Sequence, residues 1–217
     1  SAIEDHFDHS FELEEALRAK GKDTALKTVR DMIHQPGTVF YVRQQEPAGL
    51  GHAVWCARHL INDEPVAVLL ADDLIFGSTC MTEMVAAYQG GNMVAVMDVP
   101  KSDTGSYGIV TPGGDDGQIV DVSGLVEKPE PAKAPSTIGV VGRYIIEPGV
   151  FTHLTNQDRG ASNEVQLTDA LARQIGKAPF KGLRFSGERF DCGTKIGFLQ
   201  ANIAFAMSRD ELAGPLH

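Results

Sequence analysis

The chain has 217 residues, of which 42% are apolar and 22% charged, and it carries a formal net charge of −10 at pH 7. That length is ample for the hydrophobic core of a single domain, and the acidic balance argues against a non-specific nucleic-acid binder or an anionic-membrane binder, while local Lys and Arg still permit a small anionic substrate. Cys56, Cys80 and Cys192 show no metal-ligand spacing and read as reduced thiols of a cytoplasmic protein, and no apolar run reaches membrane-spanning length.

In chain order, Ser1 to Phe7 reads as the middle of a helix without an initiator Met or a preceding strand, so an N-terminally incomplete chain is expected. Phe7, Phe11 and Leu17 suggest a helical face, and Ala25, Leu26, Val29, Met32 and Ile33 a clearer one, stopped by Pro36-Gly37. The β-branched and aromatic residues from Thr38 to Arg43 predict a strand. The loop from Gln44 to Gly51 leads into a helix around Ala53, Val54 and Ala57. Next comes the apolar run Pro65 to Leu70, which ends abruptly in Ala71-Asp72-Asp73 and reads as a strand covered on both faces of a parallel sheet. Met81, Met84, Val85 and Tyr88 repeat at helical spacing and read as core, and Asn92 to Val99 contains another buried strand.

This alternation predicts an α/β fold with a doubly wound sheet in one domain over 1–217. Gly and Pro cluster from Pro112 to Pro135, where short strands such as Ile119 to Val122 predict a β-rich insertion over 111–137. Ile138 to Ile146 restores a core strand. A helix follows at Leu167, Ala170, Leu171, Gln174 and Ile175, then a strand from Phe180 to Phe185, and a closing helix at Ile196, Leu199, Ile203 and Met207.

Four stretches can carry chemistry. Asp72 and Asp73 would lie beyond the carboxyl end of a strand, where ligands of open α/β sheets bind; they either hold a divalent metal against a phosphate or simply close the strand. The glycines of Gln44 to His52 allow close approach to a flat ligand such as a nucleobase, whose edge Gln44 can read, but from these residues alone an ordinary strand-to-helix turn is the favoured reading. His52 has no partner at metal-ligand spacing and reads as a helix-start residue. Glu127 can accept from sugar hydroxyls and Lys128 can neutralise a phosphate; neighbouring strand residues point apart, so both reach one ligand only if the backbone bends, and the competing reading is a solvated charge pair. Asp191 to Lys195 precedes the last helix, with Thr194 as its cap and Asp191 as a second metal carboxylate, or it is a plain capped turn. Asn163-Glu164 opens another helix, where an acid is expected for dipole reasons alone.

Taken together, Ile3 to Asp8, Gly49 to Val54, Tyr107 to Val110, Val126 to Pro129, Val141 to Tyr144, Glu164 to Asp169 and Asp191 to Lys195 resemble, in this order, segments of the bacterial sugar-nucleotidyltransferase family. The resemblance implies a Rossmann-like, mixed but mostly parallel sheet, Mg²⁺ as cofactor, and uridylyl transfer from UTP to glucose 1-phosphate to give UDP-glucose and pyrophosphate. It implies that Gln44 and Gly49 contact the uridine, that Asp72 and Asp191 bind Mg²⁺, and that Gly108, Glu127, Gly142 and Glu164 surround the glucose. Lys128 and Lys195 fall near the phosphates, with Asp72, Lys128 and Asp191 as the catalytic set. A homo-oligomer is expected, with no nucleic-acid or membrane partner. The family's Gly-rich nucleotide loop, with its Arg and nearby Lys, has no counterpart in these residues. Two rivals stand beside this reading: a metal-dependent glycosyltransferase using Asp72 and Asp73, and a non-catalytic module that binds a sugar nucleotide.

Overall fold

The computed structural model describes residues 2–156 and 163–216. Its contacts gather into two compact units, Ser1–Gln45 and Glu46–His217.

The first unit holds α1 (Ala2–His6), α2 (Phe11–Ala19) and α3 (Asp23–Asp31). Leu26 of α3 is buried, and so is Glu14 of α2. A buried carboxylate requires partners, and Glu14 takes Arg30 Nε at 2.8 Å and His9 Nδ1 at 3.2 Å. The strand predicted over Thr38 to Arg43 does not form, and Val39, Phe40, Tyr41 and Val42 are exposed. Strand propensity measures fit to a paired, half-buried surface, and composition cannot supply the neighbouring strand.

The second unit begins with α4 (Leu50–Cys56), β1 (Val66–Leu69), β2 (Asp73–Phe76), α5 (Cys80–Ala87) and β3 (Asn92–Asp98). It continues through β4 (Gly108–Asp115), β5 (Ile119–Glu127), β6 (Ile138–Ile146), α6 (Gly149–Thr155) and α7 (Leu167–Ala172). β7 (Phe180–Arg184), β8 (Glu188–Asp191), α8 (Lys195–Met207) and α9 (Asp210–Leu216) complete it. Six strands form one sheet in the order β1-β6-β3-β7-β5-β4, and β2 pairs with β8 in a separate ribbon. β4 also touches β6 through Ile109 and Gly139, so five strands of the sheet close on themselves. The segment expected as an insertion is the β4–β5 hairpin of this sheet, followed by a loop that leads into β6.

The sheet is mixed, but it is not mostly parallel: among the described pairings only β3 with β7 is parallel. The strand–helix–strand alternation does lay β1 and β3 in the same direction. β6 then returns between them and pairs antiparallel with both. For the same reason β1 is not a central strand covered on both faces. Among the described residues it pairs with β6 alone, and Ala67 and Leu69 are exposed while Val66 and Val68 are half-buried.

Alternation along β3 and β6 builds a core on each side, because successive side chains point to opposite faces. Val94, Val96, Tyr144 and Ile146 pack with Leu154 of α6 and Leu167 and Leu171 of α7. Met93, Ala95, Val141 and Ile145 pack with Cys80 and Met84 of α5. Of the residues expected in the core, Met84 is buried and Met81 and Tyr88 pack partly buried against it, whereas Val85 is exposed; the fold is α/β with helices on both faces. Among the described residues no helix is long and apolar enough to cross a membrane.

Glu83 of α5 fastens the base of the β2–β8 ribbon. Its carboxylate accepts from the Ser78 hydroxyl after β2 and from the Ser186 amide at 2.9 Å and hydroxyl at 2.7 Å before β8. These bonds, Ser78 first, hold the Glu83 carboxyl below its ordinary value of 4.5. A folded-state value lowered in this way contributes stability above the ordinary value and loses it as pH falls through the folded one. Glu83→Gln should therefore melt below the wild type at about pH 6, and the gap should close towards about pH 3, as followed by circular dichroism across a pH series.

Candidate active site

The chain turns at Ala71-Asp72 and enters β2 at Asp73, directly opposite Asp191 of β8. Facing residues on paired strands share a side of the sheet, where like charges repel. Arg189 lies two residues before Asp191, hence on the same face, and resolves the clash. Its Nε donates to Asp73 Oδ1 at 2.6 Å, its Nη2 pairs with that same oxygen, and Nη2 lies 3.7 Å from Asp191 Oδ2. The second oxygen of Asp73 accepts the Gly142 amide of β6 at 2.5 Å. Arg189 Nη1 donates to the Tyr107 hydroxyl at 3.1 Å. The side chains of Arg189 and Asp73 are only 11% and 6% exposed. Burial alone would pull the Arg189 guanidinium down, but the charge and hydrogen bond of Asp73 outweigh it and leave it raised. Asp73 is thereby committed to structure, which removes it from the acids available to a metal.

Above this floor opens a cavity of about 260 Å³ in the second unit. Gly108, Glu127, Lys128, Gly142, Glu164 and Asp191 all line it, together with Tyr107, Tyr144, Thr168 and Arg189. Gly108 starts β4 and Glu127 ends β5 as direct cross-strand partners. The Thr168 hydroxyl of α7 donates to Glu127 Oε2 at 2.7 Å, and Lys128 Nζ stands 3.7 Å from Glu127 Oε1. The backbone bend that Glu127 and Lys128 require is present, since Lys128 has φ +44°. Its amide donates to the Tyr107 carbonyl at 2.9 Å, which holds the bend in place. Tyr144 is buried, and desolvation first, then the charges of Glu127 and Asp73, push its phenol well above the ordinary range. It stays a neutral hydroxyl at the cavity wall.

Two glycines are required here by contact. A Cβ at Gly142 would stand 2.5 Å from Asp73 Oδ2. Gly49, before α4, has φ +98°, and a Cβ on it would lie 2.8 Å from the Cβ of Glu164. Glu164 does not open a helix as expected: α7 starts at Leu167, and Asn163 has φ +60°. The dipole explanation for that acid therefore fails. Glu164 instead lies against Gly49 and accepts from Gln166 Nε2 at 2.9 Å. An acid just before an apolar periodic run suits a helix start, but here the helix boundary falls three residues after Glu164.

Asp72 is exposed, and its carbonyl accepts the Cys192 amide at 2.7 Å. A Cβ added to Gly193 would lie 3.1 Å from Asp191 Oδ1 and 3.2 Å from Asp72 Oδ2, so the two carboxylates converge on one point. Among the described residues no group of three His, Cys, Asp or Glu side chains could hold a metal. Two hard oxygen donors beside an open cavity nonetheless fit Mg²⁺, which is commonly held by one or two carboxylates plus substrate phosphates. Thr194 caps α8 as expected, its hydroxyl accepting the Gly197 amide at 3.1 Å. Lys195 begins α8, is exposed, and is not in the cavity lining. Gln44 is half-buried and belongs to the first unit.

The profile of the family described as "Nucleotidyl transferase" matches residues 8–207. The chain belongs to the nucleotidyltransferase family. The matched span of this nucleotidyltransferase takes in every residue of the cavity lining. It is 49% identical to a UTP–glucose-1-phosphate uridylyltransferase of Komagataeibacter xylinus, over 88% of this chain and 69% of the relative. It is 43% identical to the UTP–glucose-1-phosphate uridylyltransferase YngB of Bacillus subtilis strain 168, over 99% and 73%. Among solved structures it is similar to a UTP-bound UGPase from Acinetobacter baumannii, with a TM-score of 0.87 and 32% identity over 100% of this chain and 76% of that one. It is also similar to a UDP-glucose pyrophosphorylase complexed with UDP-glucose, with a TM-score of 0.84 and 34% identity over 96% and 77%. The mixed α/β nucleotidyltransferase fold is common to all three.

Tyr107, Tyr144 and Thr168 lie within motifs read from the sequence yet had no role assigned, and Arg189 lies outside them. The spacing of Arg189 and Asp191 would have put both on one strand face, but the register against Asp73 is a tertiary fact. The strain at Lys128 offers a direct test. A left-handed φ costs an L-residue roughly 1–2 kcal/mol, while glycine forfeits about 0.5–1 kcal/mol of chain entropy. Lys128→Gly should thus leave the fold unharmed or stabilise it by up to about 1 kcal/mol in urea denaturation, even as it removes the cavity's lysine.

Proposed function

We propose that this protein transfers uridylyl from UTP to glucose 1-phosphate, forming UDP-glucose and releasing pyrophosphate. The observation that carries the reading is the convergence of Gly108, Glu127, Lys128, Gly142, Glu164 and Asp191 on one cavity in a chain of this family. In the reaction, a phosphate oxygen of glucose 1-phosphate bonds to the α-phosphorus of UTP as the bond to the α–β bridging oxygen breaks, and pyrophosphate leaves with that oxygen. No protein nucleophile enters the sequence. The protein's contribution is alignment of two anions and relief of their charge.

Glu127 and Glu164 accept from sugar hydroxyls, and the Gly108 and Gly142 backbones let the sugar approach closely. Thr168 fixes one oxygen of Glu127, so the other faces the ligand in a set orientation. Lys128 offsets phosphate charge as a compact cation. Gly49, packed against Glu164 and Val165, is assigned to the uridine by resemblance alone. Lys195, at the amide end of α8, is assigned to the phosphates by resemblance alone. Asp72 and Asp191 would hold Mg²⁺, which supplies charge neutralisation on the phosphates when bound. The glycosyltransferase alternative needs Asp73 as a metal acid, and both oxygens of Asp73 are taken by Arg189 and Gly142.

Pyrophosphate release from UTP and glucose 1-phosphate, assayed with Mg²⁺, tests the activity. Asp72→Ala and Asp191→Ala should each lower turnover on the order of 10²-fold or more with the circular dichroism spectrum unchanged. Near-normal rates in both would sink the metal assignment. Glu127→Gln should raise KM for glucose 1-phosphate by roughly 10- to 150-fold, the equivalent of about 1.5–3 kcal/mol, and leave KM for UTP in place. Thr168→Val should act in the same direction with a smaller effect, about 1 kcal/mol. A change confined to UTP would reverse the sugar-side assignment.

A further inference from the structure

Arg189 reaches both sides of the cavity at once. Its Nε and Nη2 engage Asp73, whose other oxygen holds the sugar-side Gly142 amide. Its Nη2 is 3.7 Å from Oδ2 of Asp191. That leaves Asp191 Oδ1, which accepts the Gly193 amide at 3.0 Å, on the side where Asp72 converges. Its Nη1 donates to the Tyr107 hydroxyl, and the Tyr107 carbonyl in turn accepts the amide of the left-handed Lys128.

We propose that Arg189 is a positioning residue for uridylyl transfer. Through Asp73 and Tyr107 it sets the Gly142 amide and the Lys128 bend, and by its charge it directs Asp191 towards Asp72 while keeping Asp73 out of the metal's coordination. The inference rests on the reaction assigned above. It follows from the shape of the group: a guanidinium offers five donors in a planar fork, so one side chain satisfies three partners lying in different directions. A lysine supplies the same charge from a single nitrogen and cannot span Asp73, Asp191 and Tyr107 together. The buried Asp73 keeps a cation in Arg189→Lys, so the fold survives while the three-way alignment is lost.

The test measures UDP-glucose binding by titration calorimetry with and without Mg²⁺, alongside thermal melting and steady-state kinetics. Arg189→Lys should melt within a few degrees of the wild type and bind UDP-glucose about tenfold more weakly without Mg²⁺. The strengthening that Mg²⁺ gives the wild type should shrink at least threefold, and kcat should fall more than KM for UTP rises. A lowered melting temperature with unaltered affinity and unaltered Mg²⁺ response would overturn the proposal, since a purely structural ion pair behaves that way. If Arg189→Lys does not fold, Tyr107→Phe decides, because it removes only the hydroxyl that accepts from Arg189. A loss of about threefold in UDP-glucose affinity is expected, and an unchanged affinity overturns the proposal. A wild type that binds UDP-glucose yet releases no pyrophosphate would sink the assigned reaction, while the binding data would still decide the role of Arg189.

Discussion

Asp73 is a carboxylate only 6% exposed, and a charge so placed must have both oxygens satisfied from within the protein. Arg189 and the Gly142 amide meet that requirement, and each comes from a different layer of the fold. Arg189 belongs to the β2–β8 ribbon and Gly142 to the central strand β6. One buried charge therefore fastens the ribbon to the sheet. Removing one partner of a buried pair typically costs 3–5 kcal/mol, whereas replacing the whole pair by apolar groups is often neutral. Such a pair is retained for the geometry it imposes more than for net stability, and here the geometry is that of the cavity floor.

The sheet turns this local constraint into a site. β4, β5 and β6 bring Gly108, Glu127 and Gly142 together, and helix α7 adds Thr168 from one face. Cores on both sides of β3 and β6 keep those strands rigid, so the cavity walls inherit the stiffness of the sheet. Among the described residues that line the cavity and are not glycine, Lys128 alone has a left-handed backbone, which turns two consecutive side chains into the same space. Among the described lining residues, Asp73, Glu127, Glu164 and Asp191 stand against Lys128 and Arg189. Arg189 is engaged by carboxylates of the chain itself, which leaves Lys128 as the other cation among the described lining residues.

Much of the fold is legible in residue order because single strands and helices with one or two buried faces leave a periodic trace. The apolar run of β3, the long β6 and β7 lie where that trace puts them, and α8 forms where expected although Ile196, Leu199 and Ile203, which marked it, are exposed. Ribbon strands β2 and β8 leave no such trace, since each has only four residues, β8 carries three charges, and both depend on one another. Thr38 to Arg43 shows the opposite case, β-rich residues that find no ladder. Strand direction was equally hidden: the alternation of elements does not reveal that β6 returns between β1 and β3.

For the site, residue types and their order in the chain determined which chemistry was available. Carboxylates after an apolar run, a Glu-Lys pair before a proline and glycines before a helix allow sugar, phosphate and nucleobase contacts whatever the fold. Tertiary structure decided which of them work together. Only strand pairing sets Asp73 against Asp191, takes Asp73 for Arg189 and Gly142, and leaves Asp72 and Asp191 converging at Gly193. Covalent order carries side-chain chemistry and short-range periodicity, but the partner of a buried charge is chosen by contacts 69 and 116 residues away along the chain.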